Sequence, residues 1–448
     1  MEAGGQILEK VGKPFRAAFL RGSVRQNRKT REAPPQALAA GVILRPPSMS
    51  QPLVASPIEL LRRTGTRLVL VATGGGSEAI PILLTESGAS DVVLEAVVPY
   101  ARPAIDNLLG GAQESYCSDL TARRLAVAAW QRGIALGAAA DRAVGLALTG
   151  SLRSLQPKRG QHRLHVALHQ LPGTTTATLV LEKGARSRVE EERLAAVLSL
   201  DLLLAATTGE PVAEWRDELD ALLLPREHVV REHCHPPPSW QQLFSATAAA
   251  VSAGGSAGDQ AVVILPAGQP EHRVTGRLLF SGSFAPLHEG HLAMARIAEE
   301  IAERPVEWEL SVTNVDKPML DYIELSHRTA QFDGRPLWLS RAATFVEKIE
   351  LFPESTFVMG ADTYLRLADP RYYGGSQKRA DAAVRTICRK TRGLIVFGRE
   401  QDGEFQSPSQ ADLPKKLKEV TYFVSEREFR MDVSSTAIRA AALGSAHD

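Results

Sequence analysis

Apolar positions in this chain gather in short continuous runs separated by polar, glycine-rich turns. Leu68-Val69-Leu70-Val71-Ala72 is one such run, and it ends in Thr73-Gly74-Gly75-Gly76-Ser77. An apolar run of this length closed by glycines predicts a strand buried on both faces that enters a turn. Residues 92–98 predict a second strand, and residues 144–148, 163–168 and 177–181 predict three more. A helix is expected over residues 120–132. Leu194, Val197, Leu198 and Leu202 fall at helical spacing and predict an amphipathic helix. Residues 51–212 are therefore expected to form an α/β domain.

Strand and helix alternate again over residues 276–448. The strand candidates are residues 277–280, 307–312, 356–359, 394–397 and 420–424, with helical stretches between them. Such alternation predicts parallel strands in a doubly wound, Rossmann-like sheet, whose ligands bind at the carboxyl ends of the strands. Residues 213–275 read as transitional. Pro236-Pro237-Pro238 and the Ala-, Gly- and Ser-rich stretch 248–258 are linker-like. His233-Cys234-His235 lies here. It reads as a loop, since a metal site needs further ligands at suitable spacing.

Composition narrows the picture. At 448 residues, two or three domains are expected. The formal net charge of +1 argues against general nucleic-acid binding. No apolar run reaches the length of a membrane span. Cys117, Cys234 and Cys388 are few and widely spaced, which suits a reducing, cytoplasmic setting without a disulfide framework. Residues 1–50 differ from the rest and are read as a basic extension. They carry Lys10, Lys13, Arg16, Arg21, Arg25, Arg28, Lys29, Arg31 and Arg45 against Glu2, Glu9 and Glu32. A disordered arm, a start placed upstream of a true start at Met49, and an Arg-rich targeting peptide are all open readings.

The residues that carry chemistry follow the strands. After residues 277–280 comes Ser281-Gly282-Ser283-Phe284-Ala285-Pro286-Leu287-His288-Glu289-Gly290-His291. The small residues allow close approach of a ligand to the backbone. His288 and His291, three apart at the entrance of a helix over 291–302, can face one volume beside free helix N–H groups. That pairing suits a phosphate chain and the extra charge of a pentacoordinate phosphorus. The spacing is not that of a zinc protease, whose histidines stand four apart. After the last strand comes Asp432-Val433-Ser434-Ser435-Thr436-Ala437-Ile438-Arg439. An N-cap explains one hydroxyl there. Three hydroxyls with an arginine one turn on make a second polyanion cradle.

G-S-F-A-P-L-H-E-G-H together with V-S-S-T-A-I-R resembles the nucleotidyltransferase superfamily, over residues 276–448. The branch most similar is nicotinamide or nicotinate mononucleotide adenylyltransferase, and Phe357-Val358-Met359-Gly360-Ala361-Asp362 resembles its strand-G-x-D element. The resemblance implies that Gly282, Ser283 and Phe284 line a nucleotide pocket and that His288 and His291 contact the triphosphate. It implies that Gly360 and Asp362 help hold the adenosine. It places Ser434, Ser435, Thr436 and Arg439 on the outer phosphates, with Lys317 of Asn314-Val315-Asp316-Lys317-Pro318 as a further phosphate contact. Magnesium carried by the ATP phosphates is implied, without a protein metal site. The implied partners are ATP and a mononucleotide or other phosphate acceptor, with a homo-oligomer expected and neither nucleic acid nor membrane. A cytidylyltransferase for another phosphate and a non-catalytic nucleotide sensor are the alternatives.

Residues 66–210 resemble the C-terminal, amidohydrolase-type domain of the competence/damage-inducible CinA family, through Thr73-Gly74-Gly75, Val97-Val98-Pro99-Tyr100, Thr149-Gly150 and the closing helix around 194–204. Some members deamidate nicotinamide mononucleotide with a Ser, a Tyr and a Lys. This chain has Val71 and Ile105 where the Ser and Lys would stand, and keeps Tyr100. Loss of nucleophile and base implies an inactive domain. Ser77 as a displaced nucleophile is the lesser alternative. The glycine run is no P-loop, because no Gly-Lys-Ser/Thr follows.

Overall fold

The computed structural model describes residues 56–156, 159–253, 264–266, 274–315, 318–401, 404–406 and 413–429. The basic extension lies outside them.

The first sheet has six strands: β1 (Arg67–Thr73), β2 (Val93–Val97), β3 (Ala143–Ser151), β4 (His162–Gln170), β5 (Gly173–Leu181) and β6 (Val230–Cys234). Their order is β2-β1-β3-β4-β5-β6. β1 runs parallel to β2 and β3, and the pairs from β3 to β6 are antiparallel. Helices α1 (Pro57–Thr64), α2 (Ala79–Leu84), α3 (Arg102–Leu109), α4 (Asp119–Ala135), α5 (Arg188–Thr208) and α6 (Ala213–Leu222) cover it. The side-chain alternation of β1 feeds two cores. Leu68 and Leu70 join Ile58 and Leu61 of α1 and the leucines of α5. Val69 and Val71 join Ile105 of α3 and Leu125 and Ala126 of α4. The turn after β1 needs its first glycine: Gly74 has φ +74°, and a Cβ there would stand 2.0 Å from the Gly150 carbonyl oxygen.

Helix α5 departs from the expected amphipathic pattern. It is buried nearly all round from Leu194 to Leu204, Ser199 and Asp201 included. Its polar residues are paired inside the protein and do not mark a wet face. Asp201 accepts from Arg216 at 3.0 Å and also from Arg231, and Glu191 accepts from the backbone N–H of Arg153 at 2.6 Å.

The second sheet has eight strands: β7 (Ala248–Ala253), β8 (Ile264–Pro266), β9 (Leu278–Ser281), β10 (Val306–Ser311), β11 (Leu337–Ser340), β12 (Thr356–Gly360), β13 (Gly393–Phe397) and, beyond a separate hairpin of β14 (Arg399–Gln401) and β15 (Glu404–Gln406), β16 (Thr421–Val424). The order is β16-β13-β12-β9-β10-β11-β7-β8. The six strands from β16 to β11 are parallel, and β7 and β8 extend the edge antiparallel. Helices α7 (Pro238–Phe244), α8 (Glu289–Ala302), α9 (Tyr322–Ala330), α10 (Phe345–Leu351), α11 (Ala361–Arg366), α12 (Gln377–Lys390) and α13 (Lys415–Glu419) accompany it. Leu278 and Phe280 of β9 pack with Ala295 and Ala298 of α8. Leu279 packs with Ile349 of α10 and Ile387 of α12 on the other face. The sheet is doubly wound, as the alternation predicts. From β9 the chain winds to β10 and β11 on one side, then returns to β12, β13 and β16 on the other. The switch point therefore lies between β9 and β12.

The stretch expected to be transitional instead supplies α6, β6, α7, β7 and β8 to the two sheets. Ala248–Ala253 pairs with β11 as a strand although its Ala- and Ser-rich composition reads as a linker. Its buried Ala250 and Val251 sit against larger neighbours that supply the core volume. His233 and Cys234 end strand β6, which corrects the loop reading. The His233 ring meets the Thr175 hydroxyl at 2.6 Å and the His235 ring at a centroid distance of 3.9 Å.

The two sheets share a buried seam. Val127 and Trp130 of α4 belong to one apolar cluster with Leu243 and Phe244 of α7 and Tyr322 of α9. The Tyr322 hydroxyl donates to the Leu171 carbonyl at 3.0 Å, and its backbone N–H donates to the Thr174 hydroxyl at 3.2 Å. Arg123 of α4 donates to Asp321 at 2.6 Å and to Asp119 at 2.7 Å. Asp321 in turn caps α9 through the N–H groups of Ile323 and Glu324. Among the described residues, no helix is long and apolar enough to cross a membrane.

Candidate active site

The sequence motif Ser281–His291 occupies the carboxyl end of β9, at the switch point. Gly282 begins the loop, its N–H donating to the Glu309 carbonyl of β10 at 3.1 Å. The next residues turn sharply inward. Phe284 holds a left-handed backbone with φ +42°, and its ring is buried among Phe280, Trp308, Phe332 and His291 at centroid distances of 5.2–5.4 Å. Phe284 thus lies under the loop and does not line the pocket, contrary to the expectation. A large apolar ring next to an aromatic core gains more from burial than from a wet pocket wall.

That packing defines the role of Gly282. A Cβ at this position would stand 2.7 Å from the Phe284 ring. Gly282→Ala is expected to cost about 1–3 kcal/mol by overpacking. Chemical denaturation checks this, and an unchanged midpoint would contradict the assigned contact. Two residues of α9 and the turn after it hold the loop from outside. Arg328 donates to the Ser283 carbonyl at 3.0 Å. Gln331 accepts from the Leu287 N–H at 2.7 Å and donates to the Phe284 carbonyl at 3.3 Å.

His288 is the N-cap of α8, with φ −145° and ψ 168°. Its backbone N–H donates to Nδ1 of His291 at 3.3 Å. The two rings stack, with centroids 3.7 Å apart and planes 24° from parallel. Burial, and then the neighbouring His288, push the His291 pKa down to about 4. Burial also lowers that of His288. Both rings are therefore neutral at physiological pH. Because Nδ1 of His291 accepts, its proton sits on Nε2 as a donor. Nδ1 of His288 is buried and has no hydrogen-bond partner among the described residues.

Beside this loop lies a cavity of about 420 Å³, within the size range of small-molecule sites. Ser281 and the following Gly282 and Ser283 line it at the end of β9, with Ser311–Asn314 at and beyond the end of β10 and Thr363 and Arg366 from α11. The Ser281 hydroxyl is buried and has no hydrogen-bond partner among the described residues. Gly360 caps α11, and a Cβ there would meet open space. Asp362 is exposed in the first turn of that helix. His288 and His291 stand at the loop's far end and are not part of the cavity wall. Lys317, Ser434, Ser435, Thr436 and Arg439 lie outside the described residues.

Sequence reasoning missed several residues here. Lys348 of α10 lines the cavity and pairs with fully buried Glu309 of β10, which also accepts from the Ser340 hydroxyl. Arg124 of α4 reaches the cavity from the first sheet, and Arg328 lines it from α9. Only Glu324 and Arg328, one helical turn apart, carry a local signal. The others are brought together by tertiary folding.

Residues 279–441 match the family model described as Cytidylyltransferase-like. The match supports nucleotidyl transfer as the chemistry of this segment and a nucleotide as its substrate. No curated protein matches the chain. Solved structures similar to the chain include a CinA-superfamily protein from Escherichia coli, at 20% identity, covering 34% of this chain and 89% of that one with a TM-score of 0.28. They include the competence/damage-inducible protein CihA from Agrobacterium tumefaciens, at 22% identity, 34% and 94% coverage and a TM-score of 0.28. A competence or damage-inducible protein from Enterobacter asburiae has 22% identity, 33% and 92% coverage and the same TM-score.

Proposed function

We propose that residues 276–448 form an adenylyltransferase that moves AMP from ATP to a pyridine mononucleotide and releases pyrophosphate. The observation that carries this reading is the neutral, stacked histidine pair at the entrance of α8, on the switch-point side of a parallel sheet. Support comes from the Cytidylyltransferase-like match over the same segment. An oxygen of the acceptor's phosphate attacks the α-phosphorus, a P–O bond forms, and the bond from the α-phosphorus to the bridging oxygen breaks as pyrophosphate leaves. The acceptor phosphate is already ionised, so no general base is needed. Nε2–H of His291 donates to charge that grows on the transferring phosphorus, and the N–H groups of α8 add to it. Positioning supplies the rest of the rate.

Magnesium would neutralise phosphate charge when bound with the nucleotide. The carboxylates lining the cavity are engaged by arginines, Asp321 by Arg123 and Glu324 by Arg328. The ion would therefore rest on phosphate oxygens and not on a protein cage. The description of the matching family favours CTP as the second donor to test. Pyrophosphate release from ATP or CTP, with nicotinamide or nicotinate mononucleotide as acceptor, tests the reading. Release from CTP alone would replace adenylyl by cytidylyl transfer.

The first sheet is proposed to have no amidohydrolase activity. Val71 and Ile105, at the positions where the resembling enzymes carry nucleophile and base, both belong to one buried apolar cluster. Ser77 donates to the Glu192 carboxylate at 2.6 Å within the turn it closes. Ammonia release from nicotinamide mononucleotide is expected to stay at background. Turnover above background would overturn this.

A further inference from the structure

The cavity beside β9 is built from both sheets. Its wall includes Leu120 and Arg124 of α4, which packs on the first sheet, and Arg328 and Lys348 from the second. Arg124 is largely withdrawn from water. Its guanidinium donates to the Gln113 side chain at 2.7 Å. Burial works against its charge, Glu324 and Glu114 attract it in part, and Arg328 and Arg123 repel it. The neighbouring carboxylates are already committed: Asp321 to Arg123, and Glu324 to Arg328 at 2.7 Å. Fully buried Glu309 is held by Lys348. Arg124 lines the cavity and forms no ion pair among the described residues, although Glu324 and Glu114 stand near enough to attract it. The Ser281 hydroxyl, buried in the same wall and without a partner among the described residues, is a further group suited to a ligand. Guanidinium groups withdrawn from water are stabilised by a dianion, and phosphate fits them in two-pronged geometry.

We propose that Arg124 of α4, together with Arg328 and the Ser281 hydroxyl, holds the phosphate monoester of the acceptor, so that the transferase's acceptor site is completed by the preceding half of the chain. The fusion then has a chemical purpose. The first sheet need not catalyse anything, because it positions α4. Arg123 on the same helix, paired with buried Asp321 at the cap of α9, locks α4 against the segment that carries Arg328. This inference rests on the transferase reading only for the name of the ligand.

The test uses the full chain and two readouts. Calorimetric binding of nicotinamide mononucleotide without ATP is measured for the native protein, Arg124→Gln and Arg124→Lys, with nicotinamide riboside as the probe lacking phosphate. The expected result is binding of the mononucleotide that weakens at least about 10-fold in Arg124→Gln and less in Arg124→Lys, the usual size for losing a charged hydrogen bond. The riboside should bind the native protein and Arg124→Gln alike. Equal mononucleotide affinity in native protein and Arg124→Gln would overturn the proposal, as would failure of the native protein to bind the mononucleotide. Pyrophosphate release then separates the two ideas. Arg124-dependent binding without release would sink the transferase reading and leave the site standing. Release with unchanged acceptor KM in Arg124→Gln would do the reverse.

Discussion

His291→Ala lowers turnover by about 100-fold or more, the usual consequence of removing a donor aimed at transition-state charge. The effect falls on kcat, because the donor matters most when the phosphorus carries extra charge. The geometry makes this residue hard to replace. Its Nδ1 is engaged by the His288 N–H and its ring is held by Phe280, Phe284 and His288. Only Nε2–H is left to act. Steady-state pyrophosphate release on protein shown to be folded checks the result, and unchanged turnover would remove His291 from the mechanism. The low pKa adds a stability signature. Below pH 6.5 the unfolded chain takes up a proton that the folded ring refuses until about pH 4. Unfolding then binds more protons than folding, so stability rises with pH across that window and is lost as pH falls through it. His169, fully buried and pushed down to about 3, acts in the same direction.

The second large effect belongs to the seam between the sheets. Arg123→Ala leaves Asp321 as a buried carboxylate without its cation, and is expected to cost about 3–5 kcal/mol. The pair is nearly dry, with side-chain exposures of 7% and 2%. Although burial works against its charge, the carboxylates of Asp321 and Asp119 hold Arg123 firmly protonated. Denaturant titration measures the loss. A fall below about 1 kcal/mol, the range of surface pairs, would contradict the structural role. Because α4 carries Arg124 next door, the same variant should weaken acceptor binding even where the protein remains folded.

Much of the fold was legible because parallel strands buried on both faces must be continuously apolar. That rule finds β1, β9, β12 and β13 from their apolar runs, and β3, parallel to β1 on one side, in the same way. It fails for β7, where the small side chains of Ala248–Ala253 imitate a linker, and for the four-residue strand β11, too short to show a period. It also misjudged α5, since Asp201 and Glu191 look like a solvent face until their arginine and backbone partners, distant in sequence, are in place. The strand-turn-helix placement of Gly282, His288 and His291 was legible because they lie in one short segment. The Phe284 side chain went the other way, since nothing local says whether a ring beside a glycine turn faces ligand or core. Arg124 could not have been found, because 204 positions separate it from Arg328 and only the packing of α4 brings them to one wall.

The central claim is that the histidine loop at the switch point serves nucleotidyl transfer. Pyrophosphate release by the full chain with ATP and a pyridine mononucleotide tests it most directly. The account predicts pyrophosphate formed one for one with a dinucleotide product, and abolished without acceptor. Nucleotide binding with no pyrophosphate from ATP or CTP, across mononucleotide and alcohol-phosphate acceptors, would contradict it.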